Sequence, residues 1–129
     1  ERCLEMSVNY AQQRKTFGCP LADRQAIQWP IVDIYADLQT MRPLIYNAAA
    51  KFDAGSDIRW DSYLCKYLGD RKGYEAADRC LQIFGGMGLT TDLPVEKFWR
   101  DMRSMMITEG PEEILRMSLA QEVLRQYGN

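Results

Sequence analysis

The sequence predicts an all-α fold, an up-down four-helix bundle with a short extra helix, on three observations. Apolar residues recur at steps of three and four through most of the chain. No segment offers a convincing apolar–polar alternation of the kind a half-buried strand needs. Glycine and proline punctuation divides the periodic stretches into runs joined by short connections, which makes successive helices antiparallel neighbours.

The first helix is expected over residues 1–14, where Leu4, Val8 and Ala11 already follow helical spacing. Phe17-Gly18-Cys19-Pro20 is a turn cluster that stops it. The second helix carries the strongest signal. Ile27, Ile31, Ile34, Leu38, Met41, Ile45, Ala48 and Phe52 form a narrow apolar stripe, the pattern of helices packing nearly antiparallel. Gly55 is placed to cap its C-terminus. Pro30 lies in its first turns. Pro43 lies inside the stripe, where a missing amide hydrogen and a clash one turn back should kink the helix or split it; the unbroken stripe favours a kink. The third helix is expected from Asp57 to Phe84, with Trp60, Leu64, Tyr67, Tyr74, Ala77, Leu81 and Phe84 on its apolar face. Gly85-Gly86-Met87-Gly88 ends it. Pro94 then suits the first position of a short fourth helix bearing Val95, Phe98, Trp99 and Met102. Pro111 opens the last helix, with Ile114, Leu115, Met117, Val123, Leu124 and Tyr127 as its apolar residues.

Composition removes several function classes. The chain has 129 residues with 16 basic and 18 acidic side chains, so no basic excess exists to neutralise the phosphates of a nucleic acid. No apolar run approaches the ~20 residues that cross a bilayer. Histidine is absent, which excludes a Ser-His-Asp triad, a Cys-His pair and His-ligated metal sites. Cys3, Cys19, Cys65 and Cys80 stand singly rather than in the close pairs of a zinc site, so no metal is expected. Free thiols and the lack of a visible signal segment point to a reducing compartment, cytoplasm or mitochondrial matrix. The chain opens Glu-Arg-Cys-Leu-Glu-Met without a capping segment and reads as a piece of a longer protein.

Three stretches could carry chemistry. Arg14-Lys15-Thr16-Phe17-Gly18 joins two cations, a hydroxyl, an aromatic ring and a permissive glycine at a helix end, a set able to hold a diphosphate and stack on a base. The alternative account is that the cations favour the negative end of the helix dipole and Phe17 packs into the bundle. In Gln82-Ile83-Phe84-Gly85-Gly86-Met87-Gly88 the glycines would let a ligand approach the backbone, or would simply stop the helix. The stretch is no phosphate-binding loop, because no Gly-Lys-Ser/Thr follows. In Thr108-Glu109-Gly110-Pro111-Glu112-Glu113, acidic residues and proline suit a helix start. That account leaves Glu109 over: a carboxylate beside a residue with no side chain can be presented to a ligand and accept a proton. Trp29, Trp60, Trp99, Met102, Met105 and Met106 read as core or interface, and Arg100, Asp101 and Arg103 as a solvated or ion-paired face.

Taken in order, these stretches resemble the C-terminal domain of the acyl-CoA dehydrogenases. The resemblance runs from Tyr10-Ala11-Gln12-Gln13-Arg14-Lys15-Thr16-Phe17-Gly18-Cys19-Pro20 with Gln25, through Ala48-Ala49 and Asp53-Ala54-Gly55, to Gln82 through Gly88, Arg100-Asp101-Met102-Arg103, and Ile107-Thr108-Glu109-Gly110 with Glu113-Ile114. It implies a three-domain flavoprotein (N-terminal helical domain, middle β-domain, C-terminal bundle), of which residues 1–129 are the bundle. It further implies a homodimer or homotetramer with FAD between subunits. Arg14, Thr16, Phe17 and Gln25 would contact the diphosphate and adenine side of an FAD held mainly by a neighbouring subunit. Gln82, Gly85 and Gly86 would line that shared site, and Glu113 would approach the subunit's own flavin. Glu109 would stand where many members carry the base that removes the α-proton of an acyl-CoA. The β-hydrogen would leave as hydride to the flavin, giving a trans-2-enoyl-CoA, and electrons would pass to an electron-transfer flavoprotein. Two positions depart from the family pattern. Pro111 replaces a common threonine and so lacks both hydroxyl and amide hydrogen, and Glu113 replaces a neutral glutamine. Two other readings stay open: a non-catalytic oligomerisation module, and a related flavoenzyme of the acyl-CoA oxidase or nitroalkane oxidase type.

Overall fold

A computed structural model of the chain describes residues 1–128. Five α-helices carry the fold: α1 (Arg2–Gln13), α2 (Gln25–Asp53), α3 (Arg59–Phe84), α4 (Val95–Met105) and α5 (Glu112–Tyr127). Between α1 and α2 lies a small antiparallel ribbon, β1 (Lys15–Thr16) and β2 (Cys19–Pro20), followed by a 3₁₀ turn over Leu21–Asp23. A 3₁₀ segment, Gly85–Leu89, follows α3. The fold is all-α, as expected. The ribbon corrects the expectation of no strand: two-residue strands are too short to show any alternation. Pro94 and Pro111 are N-caps rather than first helical residues.

The helix α3 is the centre, touching each of the other four. Side-chain pairs give the directions. Against α2, Asp33 and Asp37 meet Arg79, Asp37 meets Lys72, and Lys51 meets Asp61, so the two helices run antiparallel. Tyr10 stacks on Phe84 with ring centroids 4.1 Å apart, while Cys3 and Met6 pack on the buried cluster of Cys80, Phe84 and Val95, so α1 runs parallel to α3. On another side Trp99 Nε1 donates to Asp78 at 2.8 Å, and Lys66 Nζ donates to the Met105 carbonyl at 2.8 Å, which sets α4 antiparallel. Finally Glu112 pairs with Arg71, and Arg116 lies over the Tyr67 ring, so α5 descends along the same side. The up-down alternation of α1, α2, α3 and α5 holds, with α4 the short extra helix.

Local chemistry explains the element ends. At the end of α2, Gly55 takes φ +77; its N–H donates to Phe52 O and the next N–H, of Ser56, to Lys51 O. This pair of bonds is the Schellman arrangement, and it satisfies carbonyls that the helix itself cannot. Helix α2 is neither split at Pro43 nor at Pro30. Both prolines and the residues one turn before them, Ala26 and Gln39, are half-buried or exposed, so water can take the bonds the missing amides leave open. The α2 stripe is fully sealed only at Ile34 and Ala48, whereas Ile45 and Phe52 emerge. In α5 only Leu115 of the expected apolar set is buried, near Glu112 and Arg116, which meet Arg71 and Tyr67 of α3. Trp29 and Met105 are exposed, not core. None of the described helices is long and apolar enough to cross a membrane.

Two glycines after α3 differ sharply in their surroundings. A Cβ on Gly88 would lie 2.9 Å from the Leu81 carbonyl oxygen and 3.0 Å from Phe84 Cβ, whereas one on Gly86 would meet nothing within 4 Å. Gly88→Ala is expected to cost about 1–3 kcal/mol through overpacking. Gly86→Ala should change stability by less than about 0.5 kcal/mol. Denaturant melts of the two variants check the contrast.

Candidate functional site

The ribbon is built around a two-residue turn in which Phe17 and Gly18 both take positive φ, +50 and +84. Left-handed values at both central residues match the right-handed twist of the flanking strands, which is why such hairpins favour glycine, asparagine or aspartate there. A phenylalanine in that conformation costs about 1–2 kcal/mol. Its ring is 98% exposed. The account in which Phe17 packs into the bundle is therefore excluded. Arg14, the C-cap of α1, and Lys15 are exposed and form no ion pair among the described residues. The carbonyl of Arg14 accepts from Leu21 N at 2.8 Å, which closes the base of the ribbon.

Arg24 escaped the sequence reading. Its guanidinium donates to the Thr16 carbonyl at 2.6 Å and to Cys19 Sγ at 3.5 Å, and lies 5.4 Å from the centre of the Phe17 ring. It ties the two strands together and backs the aromatic ring with a cation. No local signal marks such a role, because the bonds go to a backbone carbonyl eight places earlier and a thiol five places earlier.

The Tyr10–Phe84 stack sets this ribbon beside the end of α3. Gln82, Gly85 and Gly86 are exposed there, and Gly85 turns the chain with φ +58. A Cβ on Gly85 or Gly86 would meet nothing within 4 Å, so bare backbone faces outward. The helix α2, antiparallel to α3, begins at the same end with Gln25, which is also exposed. Thus Arg14, Thr16, Phe17, Gln25, Gln82, Gly85 and Gly86 gather at one end of the bundle: one free cation, an outward ring, amides and unprotected backbone.

Glu109 stands elsewhere. The end of α4 sits over Lys66 of α3, roughly 28 Å along the helix from Gly85 at ~1.5 Å per residue. Here the chain turns through Glu109 and Gly110 with φ +58 and +106 before Pro111 caps α5. Thr108 N and Oγ1 both bond Ser104 O, anchoring the turn on its first side; Glu112 N bonds Met106 O on the other. A left-handed glutamate stores strain of about 1–3 kcal/mol. Its side chain is exposed, and so is Glu113 in the first turn of α5.

The sequence profile described as "Acyl-CoA dehydrogenase, C-terminal domain" matches residues 1–124. The chain belongs to the acyl-CoA dehydrogenase family. It is 34% identical over 125 residues to 3-(aryl)acrylate reductase of Clostridium sporogenes, covering 97% of this chain and 33% of that protein. It is 35% identical over 124 residues to the mitochondrial short-chain specific acyl-CoA dehydrogenase of Mus musculus, covering 96% of this chain and 30% of that protein. Among solved structures, butyryl-CoA dehydrogenase from Megasphaera elsdenii superimposes with a TM-score of 0.91 at 31% identity, over 95% of this chain and 32% of its own. The chain therefore spans about a third of the length of the curated relatives it matches.

In this family member, then, one end of the bundle and one flank carry separate groups of exposed polar and aromatic residues, and two of them are held in left-handed backbone. Relief of that strain is measurable. Phe17→Asn is expected to raise the stability of the chain by roughly 0.5 kcal/mol, because asparagine tolerates the left-handed turn and only the exposed contact with Arg24 is lost. Thermal melting of the variant against the parent checks this.

Proposed function

We propose that this chain is the C-terminal bundle of a longer, three-domain flavoprotein that removes an α- and a β-hydrogen from an acyl-CoA thioester. Family membership over residues 1–124 supports the reading, and the observation that carries it is the retained carboxylate of Glu109 on a strained, outward turn. The two separated groups fit this scheme. A bundle that touches two flavins, its own and a neighbour's, needs two contact sites that do not coincide.

The end of the bundle fits FAD. Arg14 offers an unpaired guanidinium for a diphosphate, and Thr16 a hydroxyl. Phe17 offers a flat apolar face, with the Arg24 cation behind it. Gly85 and Gly86 leave room for close approach, and Gln25 and Gln82 flank them with amides. Bound FAD supplies the two-electron acceptor that no side chain can provide. Glu109 acts on the substrate. It takes the α-proton next to the thioester, and an apolar acyl chain that excludes water makes a carboxylate in its path a stronger base. Pro111 offers no amide hydrogen at the start of α5, and Glu113 places an anion on its first turn. Cofactor contacts near Glu109 therefore gain nothing from an amide or hydroxyl at Pro111, and Glu113 would approach the flavin as an anion. Electron-transfer flavoprotein is the proposed acceptor, and cytoplasm or mitochondrial matrix the proposed compartment. The reductase name of one relative leaves the net direction to the acyl substrate and the electron donor.

Glu109→Gln in the complete polypeptide is expected to abolish flavin bleaching by acyl-CoA, a loss of 10²-fold or more on the order typical for removal of a positioned base. FAD content should be unchanged. Undiminished bleaching removes Glu109 from the reaction. Oxygen consumption during turnover separates an oxidase from a dehydrogenase.

The chain is also proposed to assemble, because its apolar surface is not spent internally. Trp29, Val32, Tyr35 and Tyr46 on α2, and Met117, Leu124 and Tyr127 on α5, are all more than half exposed. Such runs of large apolar side chains mark interfaces. Light scattering should report a dimer or tetramer; a strict monomer at high concentration refutes this assembly.

A further inference from the structure

Below the Tyr10–Phe84 stack, α1 and α3 bring together two thiols that the proposed reaction does not use. Cys80 is completely buried in the cluster with Phe84 and Val95, and Cys3 packs against that cluster. Through this packing the two thiols are near enough to influence each other's ionisation. Ser7, one turn after Cys3 on α1, is fully buried against Cys80, and its hydroxyl makes no well-formed hydrogen bond. The sulfurs differ in access. Cys3 is half-buried and lines an open groove of about 350 Å³ between α1, α3 and α4, together with Arg2, Gly73, Phe98, Asp101 and Met102. Cys80 lies behind it, out of reach of solvent.

We propose that Cys3 and Cys80 form an oxidisable dithiol, in which Cys3 reacts with a hydroperoxide from the groove and Cys80 resolves the product to an α1–α3 disulfide. The Cys3 thiolate attacks the outer oxygen of the hydroperoxide. The O–O bond breaks, Cys3 becomes a sulfenic acid, and the remaining alkoxide leaves as an alcohol with one proton. Cys80 sulfur then attacks Cys3 sulfur. The S–S bond forms, the S–O bond breaks, and hydroxide departs with the Cys80 proton as water. The two sulfurs lose two electrons, and one hydroperoxide gains them.

Three further features fit this order. The neighbouring Cys80 thiol draws the Cys3 pKa down against the opposing effect of burial, so the half-buried partner is the one that ionises first. The neighbouring Cys3 and burial both push Cys80 upward, keeping it a thiol until Cys3 has reacted. Cys19 and Cys65 lie apart from this pair, Cys19 in the ribbon beside Arg24 and Cys65 against the Leu44 carbonyl of α2.

The purified protein is treated with a small excess of hydrogen peroxide, alkylated with N-ethylmaleimide, digested and mapped by mass spectrometry. The expected product is a peptide pair joined through Cys3 and Cys80, about 2 Da lighter than the two thiols, that separates under dithiothreitol. The melting midpoint should rise on the order of 5–10 °C, since the bond closes a long loop. Cys3→Ser should prevent the link, and Cys65→Ser should leave it intact. Recovery of Cys3 as sulfinic acid with Cys80 still alkylatable, a link from Cys3 to any other cysteine, or two unreacted thiols would each overturn the proposal. The mapping uses the unsubstituted protein, so it stands even if Cys80→Ser fails to fold; Cys80→Ala, which keeps the core position apolar, then serves as the matching variant.

Discussion

The stacking of Tyr10 on Phe84 is the contact on which the arrangement of this molecule rests. The rings lie 4.1 Å apart and within 19° of parallel, one near the end of α1 and the other at the last turn of α3. Aromatic pairs of this kind add about 0.5–1.5 kcal/mol to the burial of their area. The larger effect is positional. The stack pins two helix ends at one level, so the ribbon after α1 and the glycine turn after α3 emerge side by side. Without it, Arg14 and Phe17 would belong to one loop and Gly85 to another. Gly88 reinforces the same corner, because only a residue without a side chain lets the backbone fold back against Leu81 and Phe84.

The helices were legible because their causes are local. Three-and-four spacing, Gly55 beyond α2 and proline ahead of α4 and α5 act within a few residues of where they are seen. The α2 stripe gave the right face, and Ile34 and Ala48 are buried on it. Its ends were less legible. How far a stripe is covered depends on the length and tilt of the neighbouring helix, which no single segment encodes. The ribbon was missed for a different reason. Two residues per strand carry no period, and the turn uses Phe17 where a favoured turn residue would have announced it. Helix α5 shows the same limit from the other side: five of its six apolar residues are exposed, because nothing in the segment states how much of its surface its neighbours cover.

The candidate site was legible as an ordered set of patches, and its division was not. The motifs gave Arg14, Phe17, Gln25, Gly85 and Glu109 in sequence, but not that the first four share one end while Glu109 lies on a distant flank. That separation comes from α4, which retraces α3 from Asp78 to Lys66 and carries the chain away from the glycine turn before Glu109 is reached. Arg24 was invisible in sequence for the converse reason. Its partners are a backbone carbonyl, a thiol and a ring, none of which signals a requirement for arginine at that position.

The two prolines of α2 have an effect on how the helix breathes. With no amide at Pro30 or Pro43, the ladder of 29 residues is interrupted twice, and the carbonyls of Ala26 and Gln39 have no intrahelical donor. Fraying that starts at Gln25 therefore reaches a natural stopping place after one turn, while the far end stays wound by the bonds at Gly55 and Ser56. The first turn of α2, which carries Gln25, is thus coupled to the rest of the helix by one backbone bond fewer than an unbroken ladder would supply.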